Sequence, residues 1–235
     1  VVPDKQDKYG ALYKLDSLKP LGIVSPDCKL DFFLNSKAKS FAQTFFKENQ
    51  IKDTDLKISI SLTARRRFNF WVLDRYAKVA DWLMEKYSAK VILVWGPDEK
   101  AIVEKVASLM KFKPIITWET PSLLELAAIL EQCDLHLGND NGTKHIATAR
   151  GVPTVTIYGA HSPLSWTYPD PNWHKFVKKS CPCVNNDRKK HSCKIVTCLD
   201  SITVEEVQEV LTSLLQKLPK HQGKEVEKAK YFAVD

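Results

Sequence analysis

From residue 57 onward the chain alternates short β-rich runs with amphipathic helical segments, and this alternation constrains the fold more than any other feature. Lys57-Ile58-Ser59-Ile60-Ser61-Leu62 reads as a first strand. The segment behind it places Leu73, Tyr76, Val79, Ala80 and Leu83 on one face, the period of a helix lying on a core. Val91–Trp95 predicts a second strand, and Glu99–Met110 a helix with Ile102, Val106, Leu109 and Met110 on its apolar face. Pro114–Thr117 predicts a third strand. Thr120-Pro121 reads as an N-cap followed by proline at the first helical position, opening a helix that carries Leu123, Leu124, Ala127, Ala128 and Leu130. Asp134–Gly138 and Pro153–Tyr158 are two further strands, separated by a helix that begins near Thr143. Thr203-Val204-Glu205-Glu206 is a capping box for a last helix, apolar at Val204, Val207, Val210, Leu211 and Leu214. Strands and helices alternating at this pitch imply βαβ units and a parallel sheet covered on both faces. With right-handed crossovers the result is an α/β, doubly wound, Rossmann-like domain over residues 57–218.

Residues 1–56 differ. Lys29–Leu34 predicts a strand and Ser36–Asn49 a helix, but no sheet can be completed there. This stretch reads as the trailing end of a preceding domain, with a linker through Asn49–Asp55; residues 219–235 form a basic, exposed tail. With 44% apolar residues among 235, the chain can bury a substantial core. It lacks an apolar run of the ~18–20 residues needed to span a bilayer, and Val1-Val2-Pro3-Asp4-Lys5 lacks the order of a secretory leader. The expectation is a soluble, cytoplasmic protein. A net charge of +7 suits a phosphate-bearing partner. Nucleic acid is not expected, because no aromatics interleave a basic face and no known motif is present.

The stretch richest in chemistry is Leu137-Gly138-Asn139-Asp140-Asn141-Gly142-Thr143-Lys144-His145-Ile146-Ala147, which joins a buried strand to a helix through a polar turn. In an open α/β sheet such a turn lies at the carboxyl edge, where ligands bind. Free amides near Gly142 and Thr143 would meet an anion with the helix dipole behind them. Gly142 would let a phosphate approach, His145 could donate to a phosphate oxygen, and Asp140 could accept from sugar hydroxyls. The plain alternative is a capped turn with His145 as an ordinary helix residue. His161 and Trp166 follow Tyr158-Gly159 at the same edge, and His136, within a strand, reads as structural.

Asp140-Asn141-Gly142-Thr143-Lys144-His145-Ile146-Ala147, followed by Ala149, Gly151-Val152-Pro153-Thr154-Val155 and Tyr158-Gly159, resembles the signature of glycosyltransferase family 9, the ADP-heptose:lipopolysaccharide heptosyltransferases. Ile60–Arg67 before Phe70-Trp71 is similar to that family's first donor-domain strand and basic turn. Leu93-Val94-Trp95-Gly96-Pro97-Asp98-Glu99 is similar to its ribose-reaching strand and loop. Cys181-Pro182-Cys183, Cys193, Cys198-Leu199, Ile202 and Val207 are similar to its cysteine-rich segment. The resemblance covers roughly residues 1–218.

The resemblance implies a GT-B fold, two Rossmann-like domains with the active site between them, of which residues 57–218 would be the donor-binding half and residues 1–56 the end of the acceptor domain. It implies an inverting, metal-independent transfer of heptose or a related sugar from a nucleotide diphosphate sugar to a lipid-linked saccharide of the lipopolysaccharide core. No cofactor is implied, and peripheral contact with the inner membrane face would follow from the acceptor. Asp140, Asn141, Gly142, Thr143 and His145 match the donor-binding motif. Asp98 or Glu99 would contact the nucleoside, and Thr63, Ala64, Arg65 and Asn69 lie in the loop expected near the diphosphate and sugar. The family's lysine two residues before its Trp is Asn69 here, with Arg65, Arg66 and Arg67 as neighbouring charges; a planar guanidinium does not replace an ammonium one for one. The general base of such enzymes belongs to the first domain, so no catalytic residue is assigned in this chain. A nucleotide-binding module or scaffold without turnover is the alternative. The thiols of Cys181, Cys183, Cys193 and Cys198 could satisfy zinc's tetrahedral preference, but the usual C-x2-C spacing is missing. The segment therefore reads as a structural loop of reduced cysteines, with a disulfide as the outcome under oxidant.

Overall fold

The computed structural model describes residues 8–24, 27–66, 69–119, 122–159, 161–180 and 197–218. Six strands form one parallel sheet: β1 (Lys57–Ser61), β2 (Lys90–Val94), β3 (Ile115–Ile116), β4 (Leu135–Asn139), β5 (Thr154–Tyr158) and β6 (His174–Lys178), in the order β3-β2-β1-β4-β5-β6. The chain walks outward from β1 through β2 to β3, then returns to the far side of β1 for β4. Between the carboxyl ends of β1 and β4 the winding reverses, which opens a crevice at a topological switch point. Here Ser61 is in register with Gly138. Approach is close enough that a Cβ on Gly138 would collide with Ser61 Oγ and lie 3.0 Å from its carbonyl oxygen.

Helices cover both faces. On one side α3 (Leu73–Tyr87), α4 (Lys100–Leu109) and α9 (Val204–Leu215) bury Tyr76, Val79, Leu83, Val103, Val106, Val207, Leu211 and Leu214 against Ile58, Ile60, Val91 and Leu93. On the other, α2 (Ser36–Glu48), α5 (Leu123–Glu131) and α6 (Gly142–Ala149) bury Ala42, Phe45, Leu126, Ile129, Leu130, Ile146 and Ala147 against Ile92 and Val94. The alternation of Val91 and Leu93 with Ile92 and Val94 between the two cores is the two-residue period of a strand buried on both faces. Of three shorter α-helices among the described residues, α1 (Gly10–Asp16) and α7 (Pro163–Trp166) lie outside these layers, while α8 (Thr197–Asp200) buries Cys198 and Leu199 in the first core.

The capping box at the head of α9 is formed as expected, with the Thr203 hydroxyl accepting from Glu206 N and the Glu206 carboxylate accepting from Thr203 N. Several expectations need correction. Lys29–Leu34 is not a strand; it has no ladder partner among the described residues, and Phe33 is 81% exposed. Helix α2, which precedes residue 57, packs its apolar face into the same core as α5 and α6. The N-cap of α5 is Ser122, whose hydroxyl accepts from Leu124 N, while Thr120 and Pro121 lie outside the described residues. Within the helices, Leu109 and Leu123 are exposed and Val103 is buried instead. Cys28 is half-buried and Cys133 is fully buried. Strand β6 was not anticipated.

Candidate functional site

The site is built on the two segments that leave the sheet at the switch point. Beyond β4 the chain turns through Asp140 and Asn141 into α6. Asn141 is extended, and its Oδ1 accepts from Lys144 N at 3.0 Å, a side-chain N-cap. Its Nδ2 reaches across to β1, donating to Ser61 Oγ at 3.0 Å and to the Thr63 carbonyl at 2.7 Å. Asn141 thereby ties the turn after β4 to the loop after β1. Since Lys144 N is taken by the cap, the amides of Gly142 and Thr143 are the ones left at the helix start with no intrahelical partner. Gly142 is exposed, and a Cβ there would meet nothing within 4 Å. The positive end of α6 opens to solvent, as an anion site requires.

Behind this opening lies a polar cluster that the sequence did not announce. Lys144 is 2% exposed, and its ammonium donates to Asp140 Oδ1 at 2.9 Å, Tyr158 OH at 3.0 Å and the Trp166 carbonyl at 2.6 Å. Its three protons are thus accounted for. Burial pulls this lysine below its usual range, and the Asp140 carboxylate opposes the shift. Burial also pushes Asp140 upward, but hydrogen bonding from His161 and the charge of Lys144 outweigh it and hold the carboxyl below its usual range. The second Asp140 oxygen is paired with His161 Nδ1 at 2.8 Å. Both oxygens expected to receive sugar hydroxyls therefore already have protein partners.

His145 lies half-buried one residue further on, its ring 6.0 Å from that of Trp166 in an edge-on arrangement. Burial, helped by the nearby Lys144 charge, pulls its imidazole down to about 4, so at neutral pH it presents a neutral N–H donor. Its ring nitrogens make no hydrogen bond to the described residues.

On the β1 side, Thr63 is buried and its hydroxyl donates to Glu99 Oε1. Glu99 Oε2 accepts from Gly96 N at 2.8 Å, closing the turn after β2. Glu99 is thus an internal brace, while Asp98, at φ 66°, is exposed beside it. Arg65 and Arg66 are exposed; Arg67 lies outside the described residues. Asn69 is 95% buried by its 5% exposure, its Oδ1 lacks a hydrogen bond, and a Cβ on Gly159 would sit 3.4 Å from that atom.

Two residues of β4 hold this rim in place, and the role of Asn139 was not read from the sequence. Asn139, the last residue of β4, accepts from Trp71 N and Tyr76 OH and donates to the Ile157 carbonyl. His136, read as structural, is wedged between Ser59 Oγ at 3.0 Å and Ser61 Oγ at 3.1 Å, and burial drives it down to about 3. The cysteines at 181, 183 and 193 lie outside the described residues; Cys198 is buried in the core. Among the described residues no group of three or more His, Cys, Asp or Glu side chains is placed to hold a metal ion. A surface depression of about 250 Å³ lined by Lys29, Asp31 and Arg150 lies away from this rim.

Residues 11–200 match the family model of glycosyltransferase family 9 (heptosyltransferase). The chain belongs to glycosyltransferase family 9. Within that family it is 28% identical over 146 residues to the lipopolysaccharide core heptosyltransferase OpsX of Haemophilus influenzae, covering 61% of this chain and 40% of the relative. To lipopolysaccharide heptosyltransferase 3 of Escherichia coli it is 30% identical over 160 residues, covering 65% of this chain and 44% of the relative. The chain therefore spans less than half the length of the curated relatives it matches. The crystal structure of a family 9 glycosyltransferase from Veillonella parvula superposes on 91% of this chain and 62% of its own, with a TM-score of 0.79 and 25% identity. The parallel sheet of this chain is that of a GT-B-type family 9 domain, and the rim between β1 and β4 is its switch-point crevice. No described helix is long and apolar enough to cross a membrane.

Proposed function

We propose that this chain is the donor-binding portion of an inverting, metal-independent glycosyltransferase that moves heptose, or a related sugar, from an ADP-linked donor to the lipopolysaccharide core. The observation that carries the reading is the open start of α6 at the switch point, where the Gly142 and Thr143 amides have no intrahelical partner, with His145 following them in the helix. Amides fixed by the Asn141 cap need no reorganisation to receive a diphosphate, and His145 adds a neutral donor. Together they stabilise the negative charge that grows on the leaving group as the glycosidic bond breaks. The charge of Arg65 at the neighbouring loop adds to this field. Asp98, the exposed acidic residue after β2, is the one free to meet the ribose, since Glu99 is engaged with Thr63 and Gly96. Thr63 and Asn141 serve by bracing the rim. The general base that takes the acceptor's proton would come from the other domain of the two-domain fold.

A donor-binding relic without turnover differs from this reading in one respect, since it would bind nucleotide and release none from the sugar. Calorimetric titration with ADP, UDP and GDP in chelator, followed by an assay of ADP release from ADP-heptose with a lipopolysaccharide-core acceptor, separates the two. The proposal expects ADP to bind without added metal. It expects the chain carried within a two-domain protein to release ADP with an inverted product. Binding with no release from that protein identifies the relic, and no binding of any of the three nucleotides refutes both.

A further inference from the structure

The sugar-binding acceptor expected at Asp140 is occupied from within, and the question is which group replaces it. Asp140 Oδ1 receives Lys144 Nζ at 2.9 Å and Oδ2 meets His161 Nδ1 at 2.8 Å. A carboxylate accepts hydrogen bonds and donates none, so the bond to Oδ2 requires the proton to lie on His161 Nδ1. In the tautomer with the proton on Nδ1, the ring's lone pair lies on Nε2. Nε2 makes no hydrogen bond to the described residues, and the His161 side chain is 36% exposed.

His161 is also held from its backbone. Lys178 Nζ, from β6, donates to the His161 carbonyl at 2.8 Å. The charged and titratable groups around the ring are therefore Asp140 with Lys144 and Tyr158 behind it, His145 one helical step on, and Lys178 below. This imidazole is tied to Asp140, two residues before the first helical residue Gly142. It flanks the opening of α6 on the side opposite the β1 loop. A diphosphate seated on the Gly142 and Thr143 amides would carry its sugar on the terminal phosphate, at the opening that His161 flanks.

We propose that His161 Nε2 accepts a hydroxyl hydrogen bond from the donor's sugar, making His161 a specificity-determining residue and Asp140 the positioning residue that holds it. The inference rests on the nucleotide-sugar reading of the site and adds to it the division of labour: amides and His145 for the diphosphate, His161 for the sugar. Lys144 completes the arrangement by keeping Asp140 ionised and fixed, so that the acceptor stays on Nε2.

The test compares two ligands on one protein. ADP and ADP-heptose are titrated into the wild-type chain, His161→Ala and His161→Gln, with thermal melts as the folding control. Loss of one hydrogen bond to the sugar should weaken ADP-heptose roughly five- to tenfold, while ADP itself stays within about twofold because it carries no sugar hydroxyl for His161. His161→Gln should recover the difference, since its amide can donate to Asp140 and accept from the sugar through one side chain. Asp140→Asn should show the same selective loss, and adding it to His161→Ala should cost little more, as expected for two residues acting as one unit. Equal weakening of both ligands in His161→Ala would place the ring on the diphosphate and overturn the proposal, and no change in either would remove His161 from the site. A folded wild-type chain that bound neither ligand would instead bring down the nucleotide-sugar reading on which this one rests.

Discussion

Asn141 donates to the Thr63 carbonyl at 2.7 Å across the point where the sheet reverses its winding, while its own Oδ1 caps α6 through Lys144 N. One amide thus fixes the distance between the two loops that form the crevice and also orders the helix start that faces it.

Removing that side chain deletes an N-cap and leaves Ser61 and Thr63 short of a donor. Asn141→Ala should lower stability by about 1–3 kcal/mol, read as a lower denaturation midpoint in urea at unchanged m-value. Asn141→Ser, which keeps the cap but cannot reach β1, should fall between.

The two glycines flanking this turn should behave oppositely. A Cβ at Gly138 collides with Ser61, so Gly138→Ala should cost about 1–3 kcal/mol of stability. A Cβ at Gly142 meets nothing within 4 Å, so Gly142→Ala should leave the urea midpoint within about 0.5 kcal/mol of wild type. If the space before Gly142 is where a phosphate sits, the same variant should bind ADP more weakly.

Lys144 and Asp140 form a buried pair in which the lysine's loss would strand a carboxylate. Lys144→Met should destabilise the chain by about 3–5 kcal/mol, and Lys144→Arg should not rescue it, because a guanidinium cannot place its donors on Asp140, Tyr158 and the Trp166 carbonyl together.

Two buried histidines and the half-buried His145 predict an acid-sensitive fold. Burial lowers His136 to about 3, and His145 and His174 to about 4, each from an ordinary value of 6.5. Between those values the unfolded chain binds more protons than the folded one, so stability rises with pH across this window and is lost as pH falls from about 6.5 toward 4. Urea midpoints measured from pH 7.5 to 4 should decline throughout it. His174→Gln should flatten the decline, because a glutamine facing Thr154 has no proton to take up.

His145 is assigned to the diphosphate, where a neutral imidazole would donate to a charged oxygen. His145→Ala should weaken ADP binding by about 1–3 kcal/mol in calorimetry, with little change in melting temperature. Unchanged affinity would take His145 out of the site.

The sheet was legible because its central strands are buried on both faces, and runs such as Val91-Ile92-Leu93-Val94 have little else they can be. Strand β6 was not: His174 and Lys175 are followed by Phe176 and Val177 and then Lys178, on an edge where Phe176 is 42% exposed, so no apolar period betrays it. Helix α2 was legible as a helix, but its amphipathic period says that one face is buried and not against what. At the site, the turn from Asp140 to His145 stood out for its polar, Gly-containing junction. The roles within it did not, since a buried lysine and a solvated one read alike, and only the fold brings Tyr158, Trp166 and His161 around Lys144 and Asp140.

The central claim is that the Gly142 and Thr143 amides receive a diphosphate, and the most direct measurement follows those amides by nuclear magnetic resonance while ADP is titrated into the isotope-labelled chain. The account predicts that both signals shift saturably with chelator present, ahead of amides elsewhere in the sheet. Signals at Gly142 and Thr143 that stay put while ADP binds elsewhere, or does not bind to the folded chain at all, would contradict it.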